Sequence, residues 1–184
     1  MEPFSLFATF AAAVTSRHDS ALMDLGVPAA WLQAGPARYG VASAVFAGDH
    51  WEPHEDGTPV CVLPDAPLSD LGEVVEPVAD LIAFRTIDPG RWWLLTGAGV
   101  LLNPTARDRA DYMGEPLLIH RTPLDWMRAG GDGVVVLDWA AFLPLHLGRV
   151  PLVAADLALG ERLDEALNRP PAPTPISVLR SAAA

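Results

Sequence analysis

The chain has 184 residues, 51% of them hydrophobic, and a formal net charge of −11. This length suits one domain, and the apolar content excludes wholesale disorder. The acidic balance argues against direct nucleic-acid binding, which needs clustered basic groups to displace counterions. Every basic side chain is an arginine, so lysine-dependent chemistry such as a P-loop or a Schiff base is excluded.

The N-terminal segment predicts helices. Phe7, Phe10 and Val14 recur at helical spacing within residues 4–16, and Asp19 or Ser20 could cap a second helix. Glu2 stands where a secretory signal would carry positive charge, and the apolar run is shorter than the about 20 residues that span a bilayer. We therefore expect buried helices in a cytoplasmic protein with no membrane contact.

A β-hairpin region is predicted next, with strands at residues 39–46 and 58–63 and a long polar connection. Cys61, the one cysteine, can form no internal disulfide. It lies in the second strand, within a buried-strand pattern, and is therefore expected to be a core thiol. His50 and His54 in the connection have carboxylates around them and could bind zinc or another divalent ion. Pro53 disrupts helical spacing between them, so an ordinary polar loop is the favoured alternative.

Residues 39–84 are rich in acidic side chains and contain no arginine. These acids are Asp49, Glu52, Glu55, Asp56, Asp65, Asp70, Glu73, Glu76 and Asp80. Such a run usually marks a solvated face. The alternative is a contact surface, spanning residues 49–80, for a basic protein partner.

Further strands are predicted at residues 78–84 and 91–95, and a helix is predicted to start at Asn103 and Pro104. In an extended segment Trp92 and Trp93 point to opposite sides, so one of them can be exposed. An exposed Trp92 could stack on a ligand or anchor a partner, whereas core packing is the ordinary role of tryptophan.

The C-terminal half alternates between strand and helix signals over residues 117–167. Apolar runs at 117–120, 134–138 and 150–156 alternate with helical segments, which predicts a β-α-β-α-β-α arrangement. We therefore predict an α/β (or α+β) fold in which N-terminal helices and the hairpin region precede one mixed sheet. Residues 1–169 are expected to form a single domain, and the Pro/Ala-rich residues 170–184 a mobile tail.

Parallel strands in this half would bring His120, Asp138 and Asp156 to one edge of the sheet, where open α/β sheets usually bind ligands. A histidine with two carboxylates could hold a divalent metal ion or carry out acid–base catalysis. Both aspartates also precede predicted helices, and helix capping is the favoured explanation for them. Arg85 or Arg121, also at strand ends, could bind an anionic group.

The leading hypothesis is a non-catalytic, cytoplasmic binding or accessory protein of bacterial or phage origin that acts through protein–protein contacts. A small metal-dependent or acid–base enzyme with its site at the sheet edge is the alternative, and an acidic mimic of nucleic acid is a second one. Known nucleotide-binding, hydrolase and zinc-protease signatures are absent from the sequence. The sequence indicates neither a cofactor nor an oligomeric state.

Overall fold

The computed structural model describes residues 2–34, 38–66, 78–142 and 144–168. The helices in these residues are Pro3–Ala12 (α1), Ser16–Asp24 (α2), Ala29–Gln33 (α3), Thr105–Met113 (α4), Pro123–Arg128 (α5) and Leu157–Leu167 (α6), with a 3-10 turn at Pro144–His146. The strands are Gly40–Ala47 (β1), His50–Pro53 (β2), Thr58–Pro64 (β3), Leu81–Arg85 (β4), Asp88–Leu94 (β5), Leu101–Leu102 (β6), Leu117–His120 (β7), Val134–Val136 (β8) and Leu152–Ala154 (β9).

The N-terminal helices form as predicted, with different boundaries. α1 starts at a proline, buries Phe7 and Phe10, and ends before residue 16. The predicted cap at Asp19 or Ser20 is wrong: α2 begins at Ser16, because the Thr15 N–H donates to His18 Nδ1 at 3.1 Å and closes a capping box. Among the described residues the longest helix, α6, has 11 residues, and no helix there is long and apolar enough to cross a bilayer.

Strands β1 to β5 close into a barrel in the order β1-β2-β5-β4-β3. The predicted hairpin is present as the antiparallel β1–β3 pair, in which Val41 lies opposite Cys61. Its connection also contains β2, which was predicted as loop. β2 pairs in parallel with β5 at His50 and Leu94 and so closes the barrel. The interior holds the fully buried Trp51, whose indole N–H donates to the Leu81 carbonyl at 2.9 Å.

The remaining strands form a four-stranded mixed sheet in the order β6-β8-β7-β9. β7 runs parallel to both β8 and β9, and β6 is antiparallel to β8. The predicted α/β fold with a mixed sheet is therefore confirmed. The predicted helix after β8 is wrong, because the chain turns at Asp138 and the described residues there contain only the 3-10 turn.

The barrel and the sheet share one hydrophobic cluster. Phe84 and Leu94 of the barrel pack in the same cluster as Val135 of β8 and Trp126 of α5. The Trp92 indole N–H also donates to the Leu137 carbonyl at 3.1 Å. β5 is thereby fixed against the sheet, with Trp92 close to the carboxyl end of β8.

A buried carboxylate ties the barrel to the strand that follows it. Asp80 is 0% exposed. Its Oδ1 accepts from the N–H groups of Leu81, Leu95 and Thr96 at 2.8, 2.9 and 2.9 Å, and its Oδ2 accepts from Gly99 at 3.0 Å. A charged acceptor can satisfy several buried donors at once, so the side chain replaces strand pairing where the barrel ends.

Asp65 is the second buried acid in this region. Its Oδ1 accepts from the Ala79 N–H at 3.1 Å, and its own backbone N–H donates to the Asp80 carbonyl at 3.1 Å. Burial raises the pKa of the Asp65 carboxyl. The expectation that Asp65 and Asp80 belong to an acidic contact surface is therefore wrong: both are interior groups that bind backbone.

Replacing Asp80 by asparagine is expected to destabilise the fold far more than the same change at Asp65. In D80N the amide oxygen can still accept from the N–H groups that now bind Oδ1, but the amide NH2 faces the Gly99 N–H. We expect urea denaturation to show a loss of about 3 kcal/mol in the free energy of unfolding. D65N keeps an acceptor for Ala79 and removes a buried charge, so its loss should stay within about 1 kcal/mol. Equal losses in the two variants would contradict the role given to Asp80.

Candidate functional site

The carboxyl ends of β7, β8 and β9 lie at one edge of the sheet, as the parallel pairing requires. His120 is the last residue of β7, Asp138 follows β8 by two residues, and Asp156 follows β9 by two residues. The structure thus places the three predicted catalytic residues along the same edge.

Each of these three side chains is occupied by a contact of its own. Asp138 accepts from the N–H groups of Ala140 and Ala141 at 2.7 and 3.1 Å. The His120 Nε2–H donates to the Asp132 carbonyl at 2.8 Å. None of the three bonds to another, and in the described part of the chain no three His, Cys, Asp or Glu side chains are grouped to hold a metal.

Asp156 is a helix cap, which confirms the explanation that the sequence favours for it. Its carboxylate accepts from the Leu159 N–H at 2.9 Å and from Arg121 Nη2 at 2.9 Å. The Leu159 N–H, and with it the Arg121 guanidinium, holds the pKa of Asp156 below its usual range. The group is therefore ionised at neutral pH and unsuited to proton transfer there.

A cleft of about 350 Å³ opens at this edge, between β5, the start of α5 and the first turns of α6. Its lining residues are Gly90, Trp92, Arg121, Thr122, Trp139, Ala158, Leu159 and Arg162. The cleft therefore unites Trp92 and Arg121, two of the three residues predicted to bind a ligand. Arg85 does not line it; this side chain lies half-buried at the end of β4, beside a register shift in the β4–β5 pair.

Among the lining residues that were not predicted as site residues, Trp139 and Arg162 have the largest side chains. Trp139 is only partly buried, and Arg162 is an exposed position on α6. The Arg162 guanidinium lies over the Trp139 ring, 4.1 Å from its centroid. The sequence signal for Arg162 is its place less than two turns beyond Asp156, on a helix that starts at the ligand-binding edge of the sheet.

The electrostatics of the cleft differ from those of the chain as a whole. Arg162 has no carboxylate partner within the described ranges, and Arg121 shares Asp156 with the Leu159 N–H. Two guanidinium groups thus face one cleft that is also lined by two indole rings. A guanidinium held on an aromatic ring keeps its N–H edge available for a planar anion.

The predicted metal pair, His50 and His54, is not brought together with carboxylates. His54 Nδ1 accepts from the Asp56 N–H at 3.2 Å within its own turn. His50 lies on β2, and its ring is so close to Gly97 that a Cβ there would meet Nε2 at 2.8 Å. Cys61 is buried in β3 as predicted, and burial raises the pKa of its thiol.

Comparison with known proteins adds no functional information. No protein-family model matches the chain, and neither a curated protein nor a solved structure matches it significantly.

Replacing Arg121 by glutamine should raise the pKa of Asp156 only part of the way to its ordinary value, because the Leu159 N–H is the larger cause of the lowering. Carbon-detected NMR titration of the side-chain carboxyl measures this. A lowered pKa stabilises the fold above the unfolded-state pKa, and that contribution disappears as the pH falls through the folded-state value. R128Q, which removes the ion pair to Asp125, is the control and should leave Asp156 unchanged. A full return to the ordinary pKa in R121Q would contradict the cap.

Proposed function

We propose that this protein is a non-catalytic binding protein that takes a small anionic molecule with a flat apolar body into the cleft at the sheet edge. The observation that carries this proposal is the convergence of Arg121, Arg162, Trp92 and Trp139 on one cleft. Its volume of about 350 Å³ falls within the range of about 300–1,000 Å³ that is usual for small-molecule pockets.

An acidic group on the ligand is supported by the two arginines. A guanidinium binds carboxylate or phosphate through parallel N–H donors, and it does so best where water is partly excluded. Arg162 forms no ion pair with a described residue, so it has no such contact to break when it binds an anion. Arg121 donates to Asp156 through Nη2 at 2.9 Å, so a ligand anion would bind its other N–H groups.

The flat apolar body is supported by the indole rings. Trp92 is fixed by its hydrogen bond to the Leu137 carbonyl, and Trp139 packs against Phe142 with 5.8 Å between ring centroids. Rings held in this way lose little conformational freedom when a planar ligand packs against them.

We prefer binding to catalysis because the polar side chains at this edge of the sheet already bond to groups of the protein. Asp138 and Asp156 accept from backbone N–H groups, and His120 donates to a carbonyl. None of these three side chains lines the cleft. The enzyme alternative would instead predict that a ligand incubated with the protein is converted into a chemically different product.

Contact with a basic protein partner stays a prediction, with a smaller surface than the sequence suggested. Asp49, Glu52, Glu55 and Asp56 are exposed around β2 and its turn, whereas Asp65 and Asp80 are buried. Asp70, Glu73 and Glu76 lie outside the described residues.

The proposed setting is the cytoplasm, because a lone thiol suits a reducing compartment.

Isothermal titration with 2-naphthoate, and with uncharged 2-naphthalenemethanol for comparison, tests the proposed function. We expect the acid to bind with one-to-one stoichiometry and the R162Q variant to bind it roughly tenfold or more weakly, as loss of a charge-assisted hydrogen bond implies. The matched control is R91Q, because Arg91 also lies over a tryptophan, Trp93, at 4.9 Å but does not line the cleft. Equal weakening in both variants, or equal affinity for the acid and the alcohol, would overturn the proposal.

A further inference from the structure

A second cavity, of about 410 Å³, lies on the barrel side of the molecule between α2 and the outer face of β1 and β3. Its lining residues are His18, Ala21, Leu22, Tyr39, Val41, Ala42, Ser43, Pro59, Val60, Cys61 and Thr86. It shares no lining residue with the cleft at the sheet edge.

Two contacts, one on each side of the cavity, hold α2 next to the barrel. Near the start of the helix, the Tyr39 hydroxyl donates to Asp19 Oδ1 at 2.7 Å. Just beyond its end, Arg128 Nε donates to the Leu25 carbonyl at 2.7 Å. Between these contacts Leu22 is the only buried residue of α2, and the short side chain of Ala21 leaves space above the strands.

The floor of the cavity is a strip of barrel wall whose outward residues are adjacent in register. Val41 lies opposite Cys61, and Ser43 lies opposite Pro59. Arginine, aspartate and glutamate are all absent from its described lining. Burial raises the pKa of the Tyr39 hydroxyl and of the Cys61 thiol, so both groups are uncharged at neutral pH.

A few polar groups are available within this apolar lining. The hydroxyls of Ser43 and Thr86 have no hydrogen-bond partner in the described parts of the chain, and His18 is held through Nδ1 by Thr15. An apolar pocket with a small number of such groups is the usual form of a small-molecule site. A ligand carboxylate or sulfonate would lose hydration here without an arginine in the described lining to pair with it.

We propose that this cavity binds an uncharged, largely apolar small molecule that carries one hydrogen-bonding group. The occupant lies along the Val41–Cys61 strip beneath α2, and its polar end reaches the hydroxyl of Ser43 or Thr86. This site is independent of the proposed anion site at the sheet edge.

The test is fluorescence titration of the full chain with N-phenyl-1-naphthylamine, an uncharged apolar probe. We expect saturable one-to-one binding by the native protein and roughly tenfold or weaker binding by A21W, whose indole fills the cavity from α2. S20W places the same ring on the exposed side of the same helix and should bind like the native protein. R162Q should also bind like the native protein, which separates this site from the anion site.

A second variant and measurements of folding distinguish loss of the site from loss of the fold. S43F fills the cavity from the strand side, and circular dichroism and thermal melting report whether each variant is folded. In R162Q, whose anion site at the sheet edge is weakened, the anionic probe 8-anilinonaphthalene-1-sulfonate should bind at least about tenfold more weakly than the uncharged one, since no arginine lines the cavity under α2. Absence of saturable binding by the native protein, undiminished binding in folded A21W and S43F, or equal affinity of R162Q for the two probes would each overturn the proposal.

Discussion

The parallel pairing of β7 with both β8 and β9 is the constraint on which the site depends, because it brings the ends of all three strands to one edge. The turn into β8 allows it only through Gly133, which has a φ of +77° and where a Cβ would lie 2.4 Å from the Leu118 carbonyl oxygen. Asn103 fixes the same turn, donating through Nδ2 to the carbonyls of Gly131 and Gly133 at 3.1 and 2.9 Å. Arg121 and α6 are positioned by the strands that this turn aligns.

The barrel contributes to the site through the joint around Asp80. Its carboxylate holds Leu95 and Thr96 just beyond β5 and reaches Gly99 just before β6. β5 is therefore held at a defined position beside the sheet, and Trp92 extends across to the Leu137 carbonyl. One wall of the cleft thus comes from the barrel and the others from the mixed sheet and its helices.

Short stretches of sequence were sufficient to predict the elements whose structure depends on neighbouring residues. The alternation of strand and helix signals predicted the parallel strands. Its strand-end position singled out Arg121, and the opposite orientation of neighbouring residues in an extended segment singled out Trp92. Barrel closure was not predictable, because the pairing of His50 with Leu94 joins distant segments without a sequence signature. Asp80 resembles a surface acid in the sequence, since its donors come from segments that meet only in the fold. Arg162 was missed because its role depends on which face α6 turns toward the sheet edge.

The most direct measurement is an NMR titration of the indole N–H signals of the six tryptophans with 2-naphthoate. Trp92 and Trp139 line the cleft, whereas Trp51 and Trp93 are buried within the barrel and Trp31 packs edge-on against Trp126. We expect the signals of Trp92 and Trp139 to shift together along one saturable curve while the other four stay in place. Saturable shifts confined to the barrel or helix tryptophans, or no shifts at all, would contradict an anion site at the sheet edge.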